Sequence, residues 1–126
     1  MQNHRNLVVW QKAHSLSVGV YRVARQIARK DRSGLASQAR RAAQSIPSNI
    51  AEGCGRSTNR DFARFLQIAI ASTSELDDHL QFAMDVEVVA PDDAQCLHEQ
   101  IVEVRRMLYG LLKRVQDEDG KGGRSR

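Results

Sequence analysis

The chain has 126 residues, 41% hydrophobic and 27% charged, with a net charge of +4; a single domain of that size buries roughly two thirds of its unfolded surface and needs no staple. No apolar run approaches the roughly 20 residues that span a bilayer, and M-Q-N-H-R-N-L carries no signal-peptide core. Cys54 and Cys96 are too few for a disulfide framework and lack metal-ligand spacing, so the expectation is a cytoplasmic protein with reduced thiols and no membrane partner.

The net charge hides an asymmetry. Residues 1–64 hold 12 Lys and Arg against 3 Asp and Glu, a balance of +9, whereas residues 65–126 hold 7 against 12, a balance of −5. A split of that kind fits an anionic partner for the first half, or complementary contacts between halves or subunits.

In chain order, Asn6 is placed to cap a first helix over 7–30, whose core stripe is Val9, Ala13, Leu16, Val20, Val23 and Ile27. Trp10 and Tyr21 flank that stripe, and Arg22, Arg25 and Arg29 fall together on the opposite side. The run K-D-R-S-G then breaks the pattern. A second helix over 34–53 has three sectors. Leu35, Ala39, Ala42, Ile46 and Ile50 make its core side; Gln38, Arg41, Ser45, Asn49 and Glu52 make a polar seam; Ala36, Ala43, Pro47 and Ala51 make a small-residue side. Pro47 removes one backbone bond and crowds the carbonyl of Ala43, so a kink is expected at 43–47, with Gly53-Cys54-Gly55 as the stop.

Thr58 followed by Asp61 has the spacing of a capping box and opens a third helix over 59–84. Its core stripe is Phe62, Leu66, Ala69, Thr73, Leu76, Leu80 and Met84; Ile68 and Phe82 lie well off it. Residues 85–90 connect to a fourth helix over 92–116, an unusually apolar stretch for a loop. Pro91, Asp92 and Asp93 suit that helix's positive end. Ala94, Leu97, Ile101, Val104, Leu108, Leu111 and Val115 form a heptad-like stripe. Residues 117–126 are expected to be a disordered tail. No strand pattern appears. The fold class is all-α, an antiparallel up-down-up-down four-helix bundle over 1–116.

Catalytic chemistry finds little support. The four histidines are scattered, and a di-iron bundle would need two Glu-x-x-His pairs facing inward. Glu75 and His79 stand four apart and read as an ordinary helix pair; no metal or cofactor is expected. G-C-G lacks phosphate-cradle spacing, and Ser45 and Ser48 have no histidine nearby in sequence. The seam Arg41, Ser45, Asn49 and Glu52 reads as an architectural hydrogen-bonded network joined by Ser72 and Glu75, with Glu52 or Glu75 as the carboxylate partner of Arg41. No enzyme activity and no small-molecule substrate is expected.

The stretches L-V-V-W-Q-K-A, Q-A-R-R-A-A-Q-S-I-P-S-N-I-A-E-G and R-D-F-A-R-F-L-Q-I-A-I-A-S-T-S-E-L together resemble a family of bacterial four-helix-bundle proteins. Members are encoded in intervening sequences of 23S ribosomal RNA genes, and many others stand alone. The resemblance runs from about Leu7 to Leu112. It implies an antiparallel bundle assembling as a homopentamer, and a more distant link to the basic accessory proteins of diversity-generating retroelements, which bind nucleic acid and reverse transcriptase. One departure is Ile27-Ala28-Arg29-Lys30-Asp31-Arg32-Ser33, where the family usually carries Phe-Pro and a Glu before the Gly-Leu pair.

The expected function is that of a non-enzymatic oligomer binding RNA or DNA without sequence preference. Phosphates would meet Arg22, Arg25, Arg29, Arg40, Arg60 and Arg64, because an arginine fork can donate two bonds to one phosphate. The expected subunit contact is Ile68 and Phe82 with the small side Ala36, Ala43, Pro47 and Ala51. The alternative is a protein-interaction scaffold that binds no nucleic acid.

Overall fold

The computed structural model describes residues 3–124. Among these residues there are four α-helices and no strand: α1 Val8–Lys30, α2 Leu35–Cys54, α3 Asn59–Asp85 and α4 Pro91–Arg124. Each helix packs on the next in sequence, and α1 also meets α4. The stripes read from the sequence supply the core. All six α1 positions, all five of α2 and all seven of α4 are buried, while Phe62 and Met84 pack half-buried at the ends of the α3 stripe.

Two local details depart from the sequence expectation, the start of α1 and the length of α4. Asn6 does not cap α1. A 3-10 turn, His4–Asn6, occupies that stretch, and Leu7 stands at the N-cap without a side-chain bond. The side chain of Gln11 closes the turn by donating to the Arg5 carbonyl at 2.9 Å. At the other end of α1 the chain turns at Gly34, whose φ of +95° is the left-handed region that glycine enters without Cβ strain. α2 then runs through Pro47 without a break and stops at the expected Gly53-Cys54-Gly55.

α4 continues to Arg124 rather than stopping at 116, so residues 117–124 are helical; residues 125–126 of the expected tail lie outside the described residues. A helix already nucleated by packed turns adds one bond per residue, and no proline follows Pro91 to end it.

Residues 86–90 connect α3 to α4, as expected. The amides of Val88 and Glu87 donate to the carbonyls of Ala83 and Met84, both at 3.0 Å, and Glu87 takes φ +64°. That is a Schellman ending with glutamate in the position glycine usually fills. It folds Val88 and Val89 back onto the core, where both are buried, which accounts for the apolar character of this loop.

The α2–α3 corner is tight for a different reason. A Cβ on Gly53 would stand 2.7 Å from a Phe62 ring carbon and 3.2 Å from the Phe65 Cβ. Thr58 caps α3 as expected, accepting from the Asp61 amide at 3.2 Å.

Candidate nucleic-acid interface

The polar seam of α2 divides into two parts. Ser45 and Asn49 are half-buried and form a network with Ser72 of α3: the two hydroxyls meet at 2.8 Å, and the Asn49 amide donates to the Ser45 Oγ at 2.9 Å and to its carbonyl at 2.7 Å. Ser72 also donates to the Ile68 carbonyl at 3.1 Å. The charged members stay outside. Arg41 is exposed and has no carboxylate within 4.0 Å among the described residues; Glu52 pairs with Arg56 at 3.0 Å, and Glu75 meets His79 at 3.4 Å. The expected Arg41–carboxylate pair is therefore absent among the described residues, because α3 covers only the edge of the seam nearest the core.

The small side of α2 is also corrected. Ala36 and Ala43 are buried within the single chain, where their size lets α1 lie close, and so offer a second copy no surface; Pro47 is buried too, but beside an open groove lined by α1 and α2. Ala51 is half-buried, and Ile68 and Phe82 are 39% and 56% exposed.

The six candidate arginines separate into two groups. Arg22, Arg25 and Arg29 form an exposed ridge along α1, and none has an acidic partner within 4.0 Å among the described residues. Arg60 is exposed and equally unpaired at the start of α3. Arg64 pairs with Asp61 at 3.7 Å and lies 4.5 Å over the Phe65 ring. Arg40 does not point outward. It is half-buried over the Tyr21 ring at 4.8 Å, and its Nε is buried with no hydrogen-bond partner. The α1 ridge and the Arg60–Arg64 corner lie toward opposite ends of the bundle. Arg29 stands beside Pro91 and Val89, while Thr58 and Phe62 stand beside Leu7.

Sequence reasoning missed what lies between them. A groove of about 540 Å³ runs along α1 and α2, lined among others by Trp10, His14, Tyr21, Arg22, Gln44 and Ser48. Ser48 and Ala51 continue it toward Glu52 and Arg56, and the Arg56 guanidinium lies 4.6 Å over Phe65. The signal was present: Trp10, His14 and Tyr21 share one stripe of α1, beside the arginines and on the flank of the core.

Elsewhere, Lys12 of α1 pairs with Glu103 of α4 at 2.6 Å; among the described residues it is the one ion pair that joins the basic and acidic halves. The acidic half pairs internally, with Asp77 meeting His98 at 2.8 Å and Arg105 at 4.0 Å. No three metal-ligating side chains come together among the described residues. Burial pushes the Cys54 thiol above its usual range.

The model of the 23S rRNA-intervening sequence proteins matches residues 5–110 of this chain. The chain belongs to that family. In this 23S rRNA-intervening sequence family member the match covers the α1 ridge, all of the groove but His4, and the Arg56–Arg64 corner, and ends within α4. No curated protein matches the chain. Among solved structures it is similar to a protein of unknown function from the S23 ribosomal protein family of Bacteroides thetaiotaomicron VPI-5482, with a TM-score of 0.80 and 21% identity. The likeness covers 84% of this chain and 99% of that one, and at that identity it speaks for the fold alone. No helix among the described residues is long and apolar enough to cross a membrane.

Proposed function

We propose that this chain is a non-catalytic cytoplasmic protein, an antiparallel up-down-up-down bundle that assembles as a homopentameric ring and binds RNA or DNA through its basic half. Contacts between α2 and α3, such as Gly53 with Phe62 and Ser45 with Ser72, support opposite directions for that pair. Asp77 with His98 and Ser74 with Arg105 do the same for α3 and α4. Assembly is supported by Ile68 and Phe82, two large apolar side chains exposed on one helix; the number five comes from the family resemblance.

One observation carries nucleic-acid binding. Apart from the half-buried Arg40, the arginines of the first half are exposed, and none meets an acid of the second within 4.0 Å; Lys12–Glu103 alone bridges the two among the described residues. A positive field left open in this way attracts polyanions and releases their counterions on contact. No metal, cofactor or small-molecule substrate enters this reading.

A second reading has its own support: Phe82 is the most exposed large apolar residue among those described, and Asp78 and Asp85 lie near it on α3. That face would serve a protein scaffold that binds no nucleic acid. Fluorescence anisotropy of labelled single-stranded and duplex RNA and DNA at about 50 mM salt separates the two readings. Binding to all four probes supports the first, and binding to none supports the scaffold.

A further inference from the structure

The groove between α1 and α2 concentrates aromatic surface in a chain only 5% aromatic. Trp10 stacks on His14 with ring centroids 4.9 Å apart and an interplanar angle of 14°, and His4 stands edge-on to Trp10 at 5.1 Å. Further along the same stripe Tyr21 is 50% exposed, with the Arg40 guanidinium over its ring. Across the groove, Gln44 and Ser48 of α2 offer an amide and a hydroxyl, and among the described residues no acidic one lines it. Its volume of about 540 Å³ falls inside the range of about 300–1,000 Å³ usual for sites that hold small ring systems.

Charge decides what kind of ring system. Arg22 lines the groove itself, and Arg25 and Arg29 continue from it along α1 at steps of about 4.5 and 6 Å of helix rise. Those steps are of the same order as the axial rise per phosphate of one strand, about 3.4 Å in a stacked helix and longer when the strand is extended. An aromatic stripe beside unpaired arginines is the arrangement that takes up splayed bases while its charges track the backbone. A duplex keeps its bases stacked and paired, so it can use the arginines and leave the groove empty.

We propose that this groove is a base-stacking site for single-stranded nucleic acid, in which a base lies on the Trp10–Tyr21 stripe and its flanking phosphates meet Arg22 and Arg25. The inference rests on the nucleic-acid reading above and adds to it the form of the strand and the place of its bases. Stacking is tolerant of sequence, because every base has a π-face. The groove therefore adds strand selectivity without base selectivity.

Trp10 is the only tryptophan of the chain, so its emission reports on the groove directly. The experiment titrates the full-length protein with a single-stranded oligonucleotide, a duplex of equal length and an abasic oligonucleotide carrying the same phosphates. The single strand is expected to quench Trp10, whereas the other two bind through the ridge without quenching. The abasic strand should bind roughly 5- to 150-fold more weakly than the intact one for each base engaged. Because Trp10 also packs against the core, the exposed Tyr21 supplies the variant. Tyr21→Ala should lose a factor of that order for the intact strand and little for the abasic one, and Tyr21→Phe should keep wild-type affinity. Equal affinity for intact and abasic strands with Trp10 emission unchanged overturns the groove and leaves the arginine reading standing. Failure of all three probes to bind overturns both. Trp10 emission that follows protein concentration but ignores oligonucleotide assigns the groove to a second copy of the chain and overturns the proposal.

Discussion

The Ser45 and Ser72 hydroxyls stand 2.8 Å apart and join α2 to α3 where the polar seam of α2 meets the edge of the core. Asn49 and the Ile68 carbonyl complete the bonding of the pair, so each serine keeps one partner when the other is removed. Ser45→Ala or Ser72→Ala alone should each cost about 0.5–1.5 kcal/mol. The double variant should cost measurably less than the sum, with a coupling on the order of 0.5 kcal/mol or more. Arg41→Ala, by contrast, should stay within about 0.5 kcal/mol of wild type, because its side chain is exposed and unpaired. Urea unfolding of the four variants checks both statements. A loss of several kcal/mol for Arg41→Ala would place a partner for it on another subunit.

That contrast marks how far the sequence was legible. Apolar spacing located four helices to within a residue or two at most ends, because a stripe facing a core repeats at every turn. The seam of α2 was harder, since at about 100° per residue Arg41 lies only about 40° further round the helix than Ser45. Periodicity placed them in one sector, and the width of α3 decided which was covered. The small side failed similarly: Ala36 and Ala43 announce a close neighbour without saying whether it is α1 or another chain. The groove was missed because Trp10 and Tyr21 looked like the widened edge of a core stripe. Its other wall, Gln44 and Ser48, is contributed by a helix whose placement the sequence does not encode locally.

Gly53 tests how closely α2 approaches α3. Gly53→Ala should gain about 1 kcal/mol of helix propensity. Forcing a methyl to within 2.7 Å of the Phe62 ring and 3.2 Å of the Phe65 Cβ should outweigh that gain. Overpacking of this kind costs about 1–3 kcal/mol, so a net loss is expected, read as a lower thermal midpoint. A raised midpoint would mean that the Phe62 ring swings aside freely.

Cys54 gives the protein an alkaline weakness. Its thiol is held above the usual range by burial, so between the unfolded and folded values the folded state holds the extra proton. Stability from this source is complete below about pH 8.5 and falls as pH rises through and beyond it. Unfolding midpoints measured from neutral to alkaline pH should fall more steeply for wild type than for Cys54→Ala. Iodoacetamide should label the exposed Cys96 first and reach Cys54 only on unfolding.

Assembly is expected to depend on the outer face of α3. Phe82→Glu or Ile68→Glu should leave the helical spectrum intact, since both side chains are exposed, yet shift sedimentation toward the 14.1 kDa monomer. Wild-type protein that sediments as a monomer at micromolar concentration would contradict the ring itself.

The most direct test of the account is the salt dependence of nucleic-acid binding by the intact protein and by the triple variant Arg22→Gln, Arg25→Gln, Arg29→Gln. Log affinity against log salt should fall with a slope of about −0.7 per phosphate engaged for single strands and about −0.9 for duplex. The triple variant should weaken binding to all sequences alike and flatten that slope by up to roughly 2–3 units per subunit engaged. An unchanged slope, or no binding to RNA or DNA by the wild type at about 50 mM salt, would contradict it.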